Sequence, residues 1–203
     1  MCMSYIRRLA TAFVATGTLV AAYAPSALAQ QTESRLFRVT QSGTLRVCQY
    51  PLYYSISFRN PATGEIEGID ADLSKELAKE LNAELEIVES SFGTFIADLQ
   101  ADKCDIGMFG IGATMQRAQA VEVSKPDLQT SIYGVVKKDG PIKSWSDIDK
   151  DGTRVVTTLG SYIEPFMRDY LKSASFTAIA PPATREGELI ANRADVVLSL
   201  IHI

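Results

Sequence analysis

Apolar positions along the chain fall into short runs that alternate with amphipathic stretches, and turn residues separate them. The short runs predict buried β-strands, at 44–48, 84–89, 104–109, 132–137, 154–158 and 195–199. Apolar residues at helical spacing predict helices, at 69–81, 95–101, 163–171 and 184–192. This alternation of strand and helix is typical of parallel sheets covered by helices.

The helix at 69–81 has the clearest pattern. Leu73, Leu77, Ala78 and Leu81 fall on one face, with charged residues opposite, so we expect these four side chains to be buried.

The break Asp139-Gly140-Pro141 divides the pattern into two units that share a strand-turn-helix plan. We therefore expect two small α/β lobes, at 30–134 and 135–203, with a hairpin-like excursion around the turn at 60–64 in the first. Ligands of such sheets bind beyond the carboxyl ends of the strands, which directs attention to 49–54, 90–94 and 109–117.

The first 29 residues have the layout of a secretory signal peptide. A short basic start carrying Arg7 and Arg8 precedes an apolar stretch, and Ala27-Leu28-Ala29 is a cleavage signal. The alternative is an uncleaved anchor, but the apolar stretch is short and rich in small residues. We expect export to the periplasm.

Charge and residue usage exclude several classes of protein. The formal net charge is −4, and removal of the signal peptide makes the chain more acidic, so no basic stripe is available for nucleic acid. Cys48 and Cys104 lack metal-ligand spacing, and the only histidine is His202. We therefore expect no metal, no other cofactor and no Cys/His nucleophile.

Cys48 and Cys104 are also the candidates for a disulfide. Export allows the bond chemically. Matched on adjacent parallel strands, however, the two residues sit several positions out of step, beyond the Cα spacing that a disulfide accepts, so this geometry disfavours pairing.

Residues 105–117 carry the most informative motif, DIGMFGIGATMQR. A strand ends, glycines expose backbone amides, Thr114 can cap a new helix, and Arg117 lies in its first turn. Such amides bind anions, and a guanidinium offers a two-pronged donor to a carboxylate. A glycine loop beside a surface arginine is the alternative interpretation.

Residues 45–199 resemble the bacterial extracellular solute-binding proteins of family 3, the polar amino-acid binding class. The resemblance rests on matching segments in the family's order: LRV before PLY (45–47 and 51–53), GIDADL (68–73), the 105–117 motif with VEVSKP (121–126), and WSDI before GTRV (145–148 and 152–155).

The resemblance implies an α/β fold of the periplasmic binding protein-like type II. Its two lobes have mostly parallel sheets. A hinge near 133–137 and near the end of the chain joins the lobes, and the ligand binds in the cleft between them. The resemblance assigns to Arg117 the role of binding the carboxylate of the ligand. The remaining ligand-binding positions come from the loop, the cleft wall and the second lobe: Gly110, Gly112, Tyr53, Phe92, Gly160 and Ser161.

Departures from the family pattern concern the ligand's ammonium group. Tyr50, a further candidate ligand-binding residue, occupies a position that commonly carries an acid, and the acid expected from the second lobe falls at Leu200. Gly112 replaces a frequent Ser or Thr. A buried cation needs a carboxylate or several dipoles. We therefore predict a carboxylate ligand, with an α-amino acid favoured by the resemblance alone.

The family pattern runs beyond the last residues, so we expect a truncated second lobe without its return to the first. The resemblance implies a monomeric periplasmic component of an ABC importer, which hands its solute to an inner-membrane permease. Two alternatives stay open: a ligand-sensing domain, and an enzyme resembling the cyclohexadienyl dehydratases, for which Glu164 is the nearest candidate general acid.

Overall fold

A computed structural model describes residues 34–200 of the 203-residue chain. The predicted signal peptide at 1–29 and His202 lie outside these residues. No helix within 34–200 is long and apolar enough to cross a membrane.

Helices and strands alternate through most of the described chain. The helices are α1 (Arg35–Ser42), α2 (Ile69–Glu80), α3 (Phe95–Gln100), α4 (Met115–Ala118), α5 (Ile163–Tyr170) and α6 (Arg185–Ile190). The strands are β1 (Thr44–Gln49), β2 (Leu52–Tyr53), β3 (Ser57–Arg59), β4 (Ile66–Glu67), β5 (Glu84–Glu89), β6 (Ile106–Gly107), β7 (Tyr133–Val136), β8 (Arg154–Thr158), β9 (Ser175–Ile179) and β10 (Val196–Ser199).

The first lobe is built on a parallel sheet of order β5-β1-β6. Its central strand β1 is an apolar run, and Val47 and Cys48 within it are fully buried because neighbouring strands flank it on both sides. A small antiparallel sheet of order β2-β3-β4 follows β1, where the sequence predicts a hairpin-like excursion.

The second lobe is built on a sheet of order β7-β10-β8-β9. Strands β10, β8 and β9 are parallel, and β7 pairs antiparallel with β10. Its core contains Val155, Met167 and Leu198, packed between the sheet and α5. Leu200 belongs to the same core.

The two lobes repeat one topology. In the first, strand, helix, strand, helix and strand run as β1-α2-β5-α3-β6, and β1 lies in the middle of the three strands. In the second, β8-α5-β9-α6-β10 follows the same path, and β8 lies between β9 and β10. The carboxyl ends of β1 and β8 are therefore equivalent positions in the two lobes.

An Arg–Asp clasp occurs at the same place in each repeat. Arg46 donates to both carboxylate oxygens of Asp105 through Nε and Nη2, and its amide also donates to Asp105. Arg154 makes the same three contacts with Asp195. Each clasp ties the start of the central strand to the residue that precedes the third strand.

The clasps predict a loss of stability in acid. Burial opposes ionisation of Asp105, but hydrogen bonds from Arg46 outweigh it and hold the pKa of Asp105 below its usual value. Hydrogen bonds from Arg154 likewise lower the pKa of Asp195. A carboxylate with a lowered pKa stabilises the fold above the unfolded pKa of about 4, and this contribution disappears as the pH falls through the folded pKa.

We therefore expect Asp105→Asn to lower the free energy of unfolding by about 2 kcal/mol at pH 7, and by less as the pH falls below about 4. Urea unfolding at a series of pH values measures this difference. The control is Asp72→Asn, which removes an exposed ion pair with Lys75 and is worth less than about 1 kcal/mol. A pH-independent deficit in Asp105→Asn contradicts the assignment.

The disulfide between Cys48 and Cys104 corrects the expectation from strand spacing. The bond joins two fully buried residues whose Cα atoms lie 5.6 Å apart. The third strand, β6, is shorter than predicted and begins at Ile106, so Cys104 lies before it, in the segment that follows α3. That segment brings Cys104 to Cys48 without the constraint of strand pairing.

The buried face of α2 also differs from the prediction. Leu73 is exposed, whereas Asp70 and Ser74 are buried. The buried amide of Gln49 explains the exchange, because its Nε2 donates to the Asp70 carbonyl and to Ser74 Oγ. A polar contact between β1 and α2 thus replaces part of the apolar face.

Candidate functional site

Arg117 is positioned by the short helix α4, which begins directly after the glycine loop. Thr114 caps this helix, and its Oγ1 accepts a hydrogen bond of 3.1 Å from the Arg117 amide. This confirms the predicted cap. The side chain of Arg117 is therefore fixed at its base, one turn after the loop that leaves β6.

The Arg117 guanidinium lies between the two lobes. The Arg117 residue is 7% exposed, and Nη1 donates to the Gly112 carbonyl at 2.7 Å while Nη2 donates to the Gly160 carbonyl of the second lobe at 2.9 Å. Its Cζ lies 5.2 Å from the centroid of the Phe95 ring. Within residues 34–200 no carboxylate pairs with it, and burial lowers its pKa. An anion would therefore be strongly favoured at this position.

An aromatic cluster covers the first-lobe side of the site. Its members are linked by ring contacts with centroids 5.1–6.4 Å apart and are Tyr50, Tyr53, Phe92, Phe95 and Phe109. Tyr50 follows β1, Tyr53 lies in β2, Phe92 lies in the loop after β5, Phe95 begins α3, and Phe109 follows β6, so the carboxyl edge of the first sheet gathers them. Burial raises the pKa of the Tyr53 hydroxyl to about 12.

Glycines allow the lobes to approach each other at the backbone. A Cβ at Gly160, where φ is +74°, would lie 2.7 Å from the Gly93 Cα in the first lobe. A Cβ at Gly112 would lie 2.6 Å from the Tyr162 ring in the second lobe. Side chains at either position would hold the lobes apart.

The backbone amides that the sequence offers as anion donors have different fates. The Gly110 amide donates to the Asp70 carboxylate at 2.5 Å, and the Gly160 amide donates to Glu164 at 2.8 Å. The Ser161 amide bonds to the Thr158 carbonyl within the turn. Among residues 34–200 no acceptor lies on the Gly112 amide. Gly112 is thus the loop glycine whose amide is open to an anion.

Glu164 is poorly suited to the role of general acid. One carboxylate oxygen accepts a hydrogen bond from the Gly160 amide, and the other accepts two hydrogen bonds from Arg168. Both carboxylate oxygens are therefore occupied by hydrogen-bond donors. The carboxylate thereby holds the Gly160 turn in place.

Positions that the family resemblance assigns to an ammonium partner carry no acid. The Tyr50 ring is buried in the aromatic cluster, and the Leu200 side chain packs into the core of the second lobe. The Ser161 hydroxyl is buried 3.4 Å from Thr157 Oγ1. Asp70 is the buried acid behind the loop, and burial raises its pKa while the Gly110 amide opposes that rise.

A cavity of about 510 Å³ opens where the carboxyl ends of β1, β5, β8 and β9 face each other. Its lining comes from both lobes and consists of Tyr50, Pro51, Leu52, Glu89, Ser90, Ser91, Gly93, Thr94, Leu159, Ala180 and Pro181. Arg117 does not line this cavity, but Gly93 does, and Gly93 contacts the Gly160 turn that covers Arg117. Cavity and guanidinium are adjoining parts of one cleft.

Sequence reasoning missed Arg185, the first residue of α6. This residue is 8% exposed, its Nη1 donates to the Leu198 carbonyl at 2.9 Å, and its Cζ lies 5.6 Å from the centroid of the Tyr53 ring. Its charge opposes the rise in the pKa of both Tyr50 and Tyr53. A charged residue at the start of a short surface helix gives no local signal that it is buried.

Within the part of the chain that the structure describes, no acid or histidine cluster could hold a metal.

Close approach at Gly160 gives a prediction for lobe closure. Gly160→Ala should weaken ligand binding by about tenfold or more, because the new Cβ meets Gly93 when the lobes close. Titration calorimetry measures affinity, and small-angle X-ray scattering measures closure.

Gly152→Ala is the matched control for Gly160→Ala. Gly152 has a φ of +80°, and a Cβ added there would meet no atom within 4 Å. An alanine at this position therefore introduces the backbone strain of a positive φ without a steric contact. Equal affinities of the two variants would remove the argument for close approach of the lobes.

Residues 45–201 match the sequence profile of the bacterial extracellular solute-binding proteins, family 3. The chain belongs to this family.

Similar proteins include both binding proteins and an enzyme. The cyclohexadienyl dehydratase of Pseudomonas aeruginosa is 29% identical over 176 residues, which cover 86% of this chain and 65% of that enzyme. The L-cystine-binding protein TcyJ of Escherichia coli is 25% identical over 200 residues, which cover 98% of this chain and 73% of that protein. The chain therefore spans about two thirds to three quarters of the length of these relatives.

A solved structure gives the same fold. The crystal structure of an ancestral amino acid-binding protein, described as a precursor of cyclohexadienyl dehydratase, superposes with a TM-score of 0.75 at 33% identity. The match covers 82% of this chain and 74% of that one. This family 3 protein thus has the expected type II periplasmic binding protein fold, with mostly parallel sheets in two lobes.

Proposed function

We propose that this family 3 protein is the periplasmic solute-binding component of an ABC importer and captures a small carboxylate-bearing solute, with amino acids as the leading class. The observation that carries the proposal is the buried Arg117 guanidinium, whose donors reach a carbonyl in each lobe. Relatives named as cystine-, arginine- and histidine-binding proteins support the solute class.

The capture step follows from the hydrogen bonds of Arg117. A carboxylate accepts charge-assisted hydrogen bonds that are stronger than those of neutral carbonyls. It can replace the Gly112 and Gly160 carbonyls on the guanidinium, with the open Gly112 amide and the Ser161 hydroxyl as further donors. Tyr53 and Phe92 then cover its apolar part.

Lobe closure follows from the same contacts. A solute held by Arg117 of the first lobe and by the Gly160-Ser161 turn of the second makes its full set of contacts only when the lobes are together. Its differential affinity for the closed form shifts the equilibrium between open and closed forms. An inner-membrane permease would then receive the closed, monomeric protein.

The test is a thermal-shift screen of the exported protein against amino acids, keto acids and dicarboxylates. We expect one or more carboxylate solutes to raise the midpoint of unfolding, and their methyl esters or amides at the same carboxyl to have no effect. A protein that no carboxylate stabilises contradicts the proposal.

A dehydratase on the same scaffold is the second candidate, supported by the similarity to the Pseudomonas aeruginosa enzyme. It needs a proton donor in the cleft, and both oxygens of Glu164 bind hydrogen-bond donors. Incubation with prephenate or arogenate distinguishes the two functions. Turnover into an aromatic product favours the enzyme, whereas recovery of unchanged compound favours binding alone.

A further inference from the structure

The cleft contains a second buried cation, and it comes from the lobe opposite Arg117. Among residues 34–200, Arg117 and Arg185 are the buried arginines, at 7% and 8% exposure. Arg117 belongs to the first lobe and stacks on Phe95, whereas Arg185 belongs to the second lobe and lies over Tyr53 of the first. Phe95 and Tyr53 belong to one aromatic cluster, so both guanidinium groups face the same set of rings.

The charge of Arg185 is poorly compensated. Its guanidinium contacts the Leu198 carbonyl at 2.9 Å and the carboxylate of Glu186 at 3.4 Å, and the Glu186 side chain is 56% exposed. Arg193, in the same region of the second lobe, makes two hydrogen bonds with Glu188 and is 64% exposed. Arg193 forms an ion pair at the protein surface, whereas the Arg185 guanidinium is buried beside Tyr53 in the cleft.

Two buried cations favour a ligand with two negative groups. Four acids near the cleft already have partners: Asp70 accepts a hydrogen bond from the Gly110 amide, Glu164 binds Arg168, Glu89 pairs with Arg59, and Glu186 lies 3.4 Å from Arg185 itself. A ligand ammonium would meet two buried guanidinium groups, and an unpaired buried cation is costly. A second carboxylate would instead complete the pairing of Arg185.

We propose that Arg185 is a specificity-determining residue that binds a second carboxylate of the solute, so that the protein selects small dicarboxylates, acidic amino acids included, over their half-amides. This inference rests on the proposed function, since it names the class of solute that Arg117 holds by its first carboxylate. The Tyr53 ring lies close to both the loop at Gly110 and the Arg185 guanidinium, so it would form one wall of the second carboxylate site.

The test uses pairs of solutes that differ by one carboxylate: L-glutamate and L-glutamine, succinate and succinamate, 2-oxoglutarate and 2-oxoglutaramate. Titration calorimetry on the exported protein at fixed ionic strength gives the affinity for each. In at least one pair we expect the dicarboxylate to bind at least about tenfold more tightly, the effect of one charge-assisted hydrogen bond.

Variants assign the preference to a residue. Arg185→Gln should reduce the difference within the pair to about twofold or less, and Arg185→Lys should retain part of it because it keeps the charge. Arg193→Gln is the matched control and should retain the full preference. Circular dichroism checks that each variant is folded at the temperature of the titration.

The outcomes separate this inference from the proposed function. If both members of every pair bind equally well and depend on Arg117, the second carboxylate site is refuted and the solute-binding proposal stands. A preference that survives in Arg185→Gln also overturns the inference. If no carboxylate solute binds at all, both proposals fail together.

Discussion

Arg117→Ala is expected to weaken binding of the carboxylate solute by at least about 100-fold. The variant removes two hydrogen bonds from a buried, charged donor, each worth about 1.5–3 kcal/mol when the acceptor is also charged. It also leaves the ligand carboxylate without a counter-ion in a cleft walled by aromatic rings. Arg117→Lys keeps the charge but loses the two-pronged geometry, so its loss should be intermediate.

The measurement for Arg117 is the dissociation constant at a temperature where each variant is fully folded. This condition matters because Arg117 also bridges the Gly112 and Gly160 carbonyls, so the variant lowers stability as well. Gln116→Ala, an exposed change on the same helix, serves as the control and should bind normally. If the dissociation constant changes twofold or less in Arg117→Ala, this residue does not bind the carboxylate of the solute.

Loss of the disulfide is the largest expected effect on stability. Cys48 and Cys104 are 56 residues apart in sequence, and cross-linking a loop of this length stabilises a protein by roughly 4 kcal/mol in the chain-entropy model. The double variant Cys48→Ala/Cys104→Ala should therefore melt roughly 8–16 °C below the wild type.

Calorimetry with and without a reducing agent measures this effect. The reducing agent should lower the melting temperature of the wild type and leave that of the double variant unchanged, which controls for effects of the reagent itself. Equal melting temperatures of oxidised and reduced wild type would contradict the contribution of the bond. Because both cysteines pack in the core below Tyr50 and Phe95, we also expect the reduced protein to bind its solute less tightly.

Local patterns predicted the fold class and the position of Arg117. The Gly-rich run, the capping Thr114 and Arg117 lie within a few residues of each other, so the helix start that they form is visible in the sequence. The contact between Arg117 and Gly160 spans 43 residues and depends on how two lobes meet. No local sequence pattern indicates this contact. The role of Arg117 in binding the carboxylate of the solute stays a prediction.

The errors have a common physical origin in contacts between distant elements. Leu73 was expected in the core, but Gln49 binds the polar face of α2 instead. Cys104 was assigned to a strand, and the true strand starts after it. Helix α1 and strand β9 were missed, and β9 (Ser175–Ile179) mixes Ser and Thr with apolar residues, which blurs the strand pattern. Arg185 was missed because its burial depends on Tyr53.

The repeated topology has a consequence for how ligand preference can diversify. Phe95 and Arg185 are each the first residue of the helix that leads into the third strand of its repeat, α3 and α6. One supplies an aromatic face to Arg117, and the other supplies a charge over Tyr53. Both positions follow a threonine at the N-cap position and lie outside the strand pairing. A combinatorial library at 95 and 185 would therefore vary the chemistry of the cleft from both sides while the scaffold keeps its architecture.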